Sequence, residues 1–305
     1  MPELPEVQAL AEFLDARTTG RRVVAADVAA IAALKTFDPP VTALVGREVH
    51  GVTRHGKWLD VRLSGAGDHG DGSGEDADLH LLFHLSRGGW VRWSDQAPTA
   101  PVRLRMGGSS RGAVLALRVR LDDGAGFDLT EAGTRKRLAV HVVRDPQEVE
   151  QVATLGVDPL SDDFTTEALA ALMREKNQQV KGLLRDQRAI AGIGNAYSDE
   201  ILHVAKVSPF KLTRSFTPDE VAALHDAVVT TLRDAVAASS GKPAKELKDA
   251  KRAGMRVHGR TGEACPVCGD VVREVSFADR SLQYCATCQT GGQVLADRRM
   301  SRLLK

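Results

Sequence analysis

A proline at position 2 with a glutamate beside it is a pair whose side-chain and terminal groups can make and break covalent bonds. The chain opens Met1-Pro2-Glu3-Leu4-Pro5-Glu6. Met1 precedes a small residue, the pattern that methionine trimming removes, so Pro2 is expected at the mature N-terminus. A free N-terminal proline is a secondary amine; it attacks an electrophilic carbon and becomes an iminium with a fixed positive charge. An α-amine titrates near ~8, so a fair fraction is neutral at cellular pH, and the Glu3 carboxyl stands ready to give and take protons. Alone this opening says little, because most chains that begin Met-Pro make no use of it.

The far end of the sequence carries a second chemistry. Cys265 and Cys268 form one Cys-x2-Cys pair and Cys285 and Cys288 another, sixteen residues apart. Two such knuckles turn four thiolates toward one ion, and the spacer suits a β-hairpin between them. Gly269 follows the first pair, as knuckle turns prefer. All four positions are filled by protein, which predicts one structural Zn2+ with no open coordination site.

Between these ends lie Lys181 to Asn195, within VKGLLRDQRAIAGIGNAYSDE. Gly192 and Gly194 permit a tight turn, and Asn195 is placed to cap the helix that follows. A glycine turn opening onto a helix N-terminus presents N–H groups and partial positive charge to a phosphate; the plainer reading is a helix–helix turn. His55-Gly56-Lys57-Trp58 opens a strand, and a lone lysine there is usually a solvated charge.

The elements that must position these groups follow from periodicity. Val7, Leu10, Ala11 and Leu14 recur at helical spacing with Gly20 as a stop, which predicts a helix near 4–17. Strand-like stretches follow at Trp58–Leu63, Leu79–His84, Trp90–Trp93, Val114–Leu121 and Leu138–Val143. Residues 64–78 carry five acidic residues and no Lys or Arg, and are expected to be a mobile loop. From about 146 the pattern turns helical, with helices at Thr165–Glu175 and Thr217–Ser239; Thr217, Pro218 and Glu220 supply cap, first-turn proline and capping-box acid. A Lys/Gly stretch at 241–256 leads into the cysteines. The fold class is α+β: an N-terminal β-sandwich domain with a leading helix over 1–145, a linker at 146–160, a helical domain over 161–250, a zinc hairpin over 256–290 and a basic tail at 291–305.

At 305 residues, 43% hydrophobic and 27% charged, the chain has room for two domains and a small appendage. No apolar run approaches the roughly 18 residues of a membrane span. Cysteines confined to one short segment suit a reducing cytoplasm and a metal site. The net charge of +1 hides asymmetry, since residues 242–305 hold 13 Lys/Arg against 7 Asp/Glu. Such a local excess can bind phosphate.

Taken together, the Pro2-Glu3 opening, the Gly192-Ile193-Gly194-Asn195 turn and the paired cysteines resemble the formamidopyrimidine-DNA glycosylase / endonuclease VIII family over nearly the whole chain. The resemblance implies a bifunctional DNA glycosylase/AP lyase of base-excision repair, acting as a monomer on damaged double-stranded DNA. Pro2 would attack C1′ of the damaged nucleotide and Glu3 would move protons. Lys57 would reach the lesion-side backbone, and strand cleavage would follow by β,δ-elimination. It makes the segment around Lys181 and Asn195 a helix–two-turns–helix motif whose lysine and asparagine grip phosphates. It also makes Arg280, five residues before Cys285, the arginine of the zinc hairpin.

The sequence departs from the family where substrate choice is set. Enzymes specific for oxidised purines resemble His-Leu-Gly-Met where this chain reads His84-Leu85-Ser86-Arg87. Their later Arg-Phe wedge falls on Thr134-Arg135-Lys136-Arg137, which has no aromatic. Arg87 and Arg135 are either surface charges or guanidiniums that stack in the vacated space or pair with the opposite base. The rival readings are a non-catalytic module of the same fold that binds damaged DNA, and a zinc-ribbon transcription or translation factor.

Overall fold

The computed structural model describes residues 1–65, 77–104, 112–277 and 281–296. Arg280 and the end of the basic tail lie outside the described residues, as does most of the acidic segment. The described chain forms two compact units, Met1–Thr154 with Ser239–Leu247 and Leu155–Ala238 with Lys248–Lys305.

The first unit opens with helix α1 (Leu4–Thr18), followed by strands β1 (Val23–Val28), β2 (Val49–His55), β3 (Trp58–Leu63), β4 (Leu79–His84), β5 (Gly89–Ser94), β6 (Val114–Leu121), β7 (Gly126–Glu131) and β8 (Ala139–Val143), and closes on the short helix α2 (Glu150–Ala153). The strands make two four-stranded antiparallel sheets, ordered β1-β6-β7-β5 and β2-β3-β4-β8. This is the expected sandwich with a leading helix. Alternating side chains bury one face of each strand, with Leu59, Val61, Leu81, Phe83, Leu117, Val119, Phe127 and Leu129 in one continuous core. Helix α1 joins that core through Val7, Leu10 and Leu14. Asp15 Oδ1 accepts the Val52 backbone N–H at 2.8 Å, so α1 is also pinned to β2.

Arg47 is the least typical member of this unit, a guanidinium only 5% exposed. It donates to the carbonyls of Ala43, Ser64 and Ala77 at 2.9, 2.8 and 2.7 Å, and so joins the two ends of the acidic segment. Because the carbonyls of three separate segments depend on this buried guanidinium, Arg47→Met is expected to destabilise the unit by about 3 kcal/mol in urea unfolding. A change no larger than that of an exposed arginine would remove this role.

The second unit contains α3 (Thr166–Glu175), α4 (Val180–Arg185), α5 (Asn195–Val204) and most of α6 (Pro218–Ser239). Helix α7 (Leu247–Gly254) follows, then the hairpin strands β9 (Val272–Ser276) and β10 (Ser281–Cys285) and the one-turn helix α8 (Ala286–Thr290). Thr165 caps α3 by accepting from Ala168 N–H at 3.1 Å. Thr217 and Glu220 form the capping box of α6, at 2.9 and 3.3 Å. Helix α7 lies within the Lys/Gly stretch at 241–256, to which the sequence assigned no element of its own. Its Lys251 ammonium lies 4.6 Å from the centre of the Tyr197 ring, a cation–π contact that anchors the helix to α5.

Candidate functional site

In the first unit, Pro2 and Glu3 are buried, with Met1 47% exposed ahead of them. Glu3 is the N-cap of α1, and Pro5 falls in the first turn, where a missing N–H costs nothing. Glu6 Oε2 accepts the Glu3 backbone N–H at 2.9 Å, the return arm of a capping box. Glu6 thus supports the turn that holds Glu3. Both carboxylates sit at the positive end of the helix dipole, which favours negative charge there.

The same helix steers the Lys57 hairpin. His55 pairs with Trp58 across a two-residue turn in which Gly56 has a φ of 56° and Lys57 does not, the signature of a type II′ connection. Gln8 Oε1 on α1 accepts from Arg54 Nε at 3.0 Å, and Arg54 Nη1 donates to Gly56 O at 3.1 Å. One chain of hydrogen bonds therefore runs from the first turns of α1 to the turn carrying Lys57, whose side chain is buried. Beneath it, Asp60 is 3% exposed and meets His55 at 3.0 Å and His80 at 2.9 Å. Burial pushes its carboxyl up, but the two imidazoles outweigh this and hold it below the usual value.

His84 pairs with Trp58 in register, their rings 5.0 Å apart. Burial, then the charge of Lys57, pushes the imidazole down to about 4. The folded state therefore keeps His84 neutral where the unfolded chain, titrating near ~6.5, takes up a proton. Stability from this group is complete above pH ~6.5 and drains away as pH falls toward the folded value, by about 3 kcal/mol in all. His84→Gln is expected to flatten the fall in unfolding free energy between pH 7 and pH 4.5, measured by urea titration. An unchanged slope would show that His84 is protonated in the fold.

At one end of the sandwich the β4–β5 and β7–β8 loops lie side by side, joined by the Ala132 N–H on Gly88 O at 2.9 Å and by the Gly89–Glu131 register. A Cβ on Gly88 would come within 2.1 Å of Ala132 O, so this approach requires glycine. Ser86 takes a φ of 52°, a left-handed conformation, where the family resemblance leads one to expect glycine. The Glu131 carboxylate accepts the Leu138 N–H at 3.0 Å, and Lys136 Nζ donates to Glu131 O at 2.7 Å. These bonds shape loops from which Arg87 and Arg135 project, both exposed. No aromatic stands beside them in either loop.

In the second unit, Gly192 adopts a φ of 91°, and its N–H is taken by Gln187 Oε1 at 3.0 Å. Gln187 Nε2 donates to Ile193 O at 2.8 Å and so stitches the turn from inside. The cap of α5 is Gly194, not Asn195. Asn195 is the first residue of the helix, and its Nδ2 donates instead to Ser281 O at 2.8 Å, the residue after Arg280. The structure thus brings Asn195 to the start of β10. Its Oδ1 is buried with no hydrogen-bond partner among the described residues. Lys181 is buried rather than extended into solvent. Its ammonium donates to Ser198 Oγ at 2.8 Å and Asn195 O at 3.3 Å and pairs with Asp199, which is 1% exposed.

Asp199 also holds His258 Nδ1 at 2.7 Å. Its neighbour Glu200 accepts three successive backbone N–H groups, from Arg256, Val257 and His258, at 2.7–3.0 Å. Burial nonetheless pushes the Glu200 carboxyl up against these donors. Sequence reasoning missed Asp199, Glu200, His203 and His258. The available signal was an adjacent acidic pair inside an otherwise apolar helix, which in a buried segment demands partners.

The four cysteines converge, with all Sγ atoms within 4.8 Å of one another. Cys265 and Cys288 are 3.9 Å apart, and Cys268 and Cys285 are 3.4 Å apart. A tetrahedral zinc–thiolate site with bonds of about 2.3 Å needs sulfurs about 3.8 Å apart, so the donor set fits the ion. Burial pushes the Cys285 thiol up to about 11 and that of Cys288 higher still, whereas the Asp270 backbone N–H draws Cys268 down. Four sulfurs this close cannot all be thiolates without a cation among them. His203 Nε2 lies 3.2 Å from Cys265 Sγ, and burial, then the Arg256 charge, lowers its basicity.

Three family matches tile the chain. Residues 1–140 match the formamidopyrimidine-DNA glycosylase N-terminal domain, 155–245 the H2TH domain of the same enzymes, and 262–291 the zinc finger found in FPG and IleRS. An uncharacterised formamidopyrimidine-DNA glycosylase-like protein of Mycobacterium tuberculosis is 57% identical over 155 residues, 51% of this chain and 97% of that protein. The formamidopyrimidine-DNA glycosylase of a Roseiflexus species is 32% identical over 298 residues, 95% of this chain and all of that one. Among solved structures, the Lactococcus lactis enzyme bound to abasic-site DNA superimposes with a TM-score of 0.75 at 24% identity, covering 94% of this chain and 99% of that chain. A tandem of sandwich, helical unit and four-cysteine hairpin, matched in this order from end to end, means that the chain belongs to the formamidopyrimidine-DNA glycosylase family.

Proposed function

We propose that this protein is a DNA glycosylase of base-excision repair that also cleaves the strand at the abasic site, working as a monomer on damaged duplex DNA. The observation that carries the reading is the opening of α1. Pro2 and Glu3 are set by the Glu6 capping arm, on a helix that also orients the Lys57 turn.

With Met1 removed, the Pro2 lone pair attacks C1′ of the damaged nucleotide while the bond from C1′ to the base breaks. The base leaves with the bonding electrons and takes up a proton, and the Pro2 nitrogen gives up its own proton, recovering its lone pair. Glu3 then protonates O4′ as the C1′–O4′ bond opens, leaving a C1′ iminium on Pro2. The iminium acidifies the 2′ hydrogen; its loss expels the 3′ phosphate, and a second elimination expels the 5′ phosphate. Lys57 holds the backbone beside the reacting sugar. Asn195, with Lys181 behind it, and Arg280 of the zinc hairpin hold phosphates around the lesion. The zinc, one ion on Cys265, Cys268, Cys285 and Cys288, is structural and takes no part in the reaction. Reaching the base requires flipping it from the stack, at a cost of a few kcal/mol that a weakened pair reduces.

Arg87 and Arg135 occupy the loops that face the orphaned partner. Charged groups replace an apolar plug there, which argues against a narrow preference for 8-oxoguanine opposite cytosine. Borohydride trapping tests the whole reading on duplexes carrying an abasic site, 8-oxoguanine, a formamidopyrimidine, a hydantoin or thymine glycol, with undamaged DNA as control. A covalent adduct on a damaged duplex is expected, and the pattern across duplexes names the lesion class. No adduct on any duplex, from protein whose mass shows Met1 removed, would overturn the enzyme and leave a DNA-binding module.

A further inference from the structure

His203 stands in the last turn of α5, 2% exposed, and no step of the proposed reaction uses it. We propose that His203 is a positioning residue of the metal centre: its Nε2–H donates to the Cys265 thiolate and ties the first knuckle to α5. The inference rests on the zinc reading of the four cysteines.

Three observations carry it. The first is the contact itself, 3.2 Å from Nε2 to Sγ, within the range for a sulfur acceptor. The second is the state of the ring. Nδ1 is buried with no hydrogen-bond partner among the described residues. A proton on Nδ1 would leave a buried donor orphaned and turn an imidazole lone pair toward a thiolate. A proton on Nε2 satisfies the sulfur and leaves only an acceptor unmatched, the smaller loss. The third is where two of the other thiols find their donors. Cys268 receives the backbone N–H of Asp270, and Cys285 that of Cys288, each from its own knuckle. Cys265, only 2% exposed, has this side-chain donor from an element 62 residues earlier in the chain. Four thiolates on one divalent cation carry net negative charge, and at the buried sulfur an N–H must replace the missing water.

The consequence reaches beyond the ion. Asn195 grips the first residue of β10, Asp199 grips His258, and Glu200 grips the backbone of residues 256–258. His203 completes the series at the other end of the helix. Helix α5 therefore clamps the described part of the zinc hairpin from both of its ends, with Asn195 at one end on Ser281 and His203 at the other on Cys265.

Cobalt(II)-substituted full-length protein tests the bond, with His203→Phe and His203→Gln beside the wild type. Loss of the donor should move the sulfur-to-cobalt charge-transfer bands to lower energy in the phenylalanine variant, and the glutamine N–H should move them part of the way back. In the zinc forms, metal transfer to a chromogenic chelator and alkylation of Cys265, mapped by mass spectrometry, should both accelerate about tenfold in His203→Phe. A residue that merely fills space would alter the melting temperature and leave the bands in place. Unchanged bands and unchanged Cys265 alkylation in folded His203→Phe would overturn the proposal. If that variant fails to fold, cadmium-113 wild type with labelled histidine decides the matter, because a spin coupling between the metal and the His203 Nε2–H must be present. A wild type lacking a tetrathiolate cobalt spectrum would instead sink the zinc reading itself.

Discussion

Protein carrying an uncleaved residue ahead of Pro2 should lose base excision by about 10⁴-fold or more and form no borohydride-trapped adduct, while binding lesion DNA with near-normal affinity. The reason is covalent. A residue on Pro2 converts its nitrogen to a tertiary amide, which has no lone pair to give to C1′. Substitution by glycine is a weaker test, since a terminal glycine still offers a primary amine; a retained initiator or a short N-terminal extension removes the nucleophile outright. Met1 is 47% exposed, whereas Leu4, Val7 and Leu10 behind it are fully buried, so an extension leaves α1 and its core contacts intact. Melting temperature serves as the control and should hold steady. Glu3→Gln should lower excision by roughly 10²–10⁴-fold while still permitting some trapping on a preformed abasic site, because the amine survives and only the proton shuttle is lost. Equal excision by extended and trimmed protein would dismiss Pro2 as the nucleophile.

The parts of this chemistry that the sequence made legible are those written in local spacing. The capping box of α6 lies within three residues of its partner and was readable, as were the cysteine knuckles. Strands β3, β4, β5, β6 and β8 announced themselves by alternation or β-branched runs. β1, β2 and β7 did not, for reasons visible in their residues. β1 is half alanine and aspartate, β2 is broken by Gly51, and β7 opens on Gly126, so each owes its strand to the neighbour that pairs with it. Helix α7 was hidden by the glycines and proline around its lysines. The same division holds at the site. Gly192 needs positive φ, and sequence could say so; that Asn195 would leave the cap to Gly194 and reach Ser281, 86 residues on, it could not. Nor could it say that Lys181 would be buried against Asp199, because a lysine in a sequence carries no mark of its surroundings. His203, Glu200 and His258 acquire meaning through contacts 56–62 residues away, and Asp199 through His258 and Lys181 together.

Removing the zinc should unfold the hairpin and reduce lesion-DNA binding by several orders of magnitude while the sandwich core stays folded. The hairpin has little else to stand on. Its inner cluster consists of Val257, Cys265, Val272 and Cys285, so two of the four residues are ligands. A second cluster of Val275, Leu282, Tyr284 and Ala286 covers the other side. Two such patches bury far too little apolar area to offset the entropy of ordering about thirty residues. A structural zinc contributes about 10–16 kcal/mol to its fold at neutral pH, which decides the balance. Without the ion, the close-set sulfurs must also take up protons, and the Cys285 thiol, already pushed up to about 11, shows how strongly the site resists bare thiolates. Loss of the hairpin frees Ser281 from Asn195, so the phosphate binding proposed for this region should fail with the fold. Chelation, and separately Cys285→Ser, should expose four or three titratable thiols, collapse the β9–β10 signals in hydrogen exchange and leave the protection of β3, β4 and β7 intact. Zinc added back should restore binding in the chelated protein and not in the variant. Full DNA affinity in metal-free protein, confirmed by native mass, would mean that the hairpin grips DNA without its ion and that the ion's role lies elsewhere.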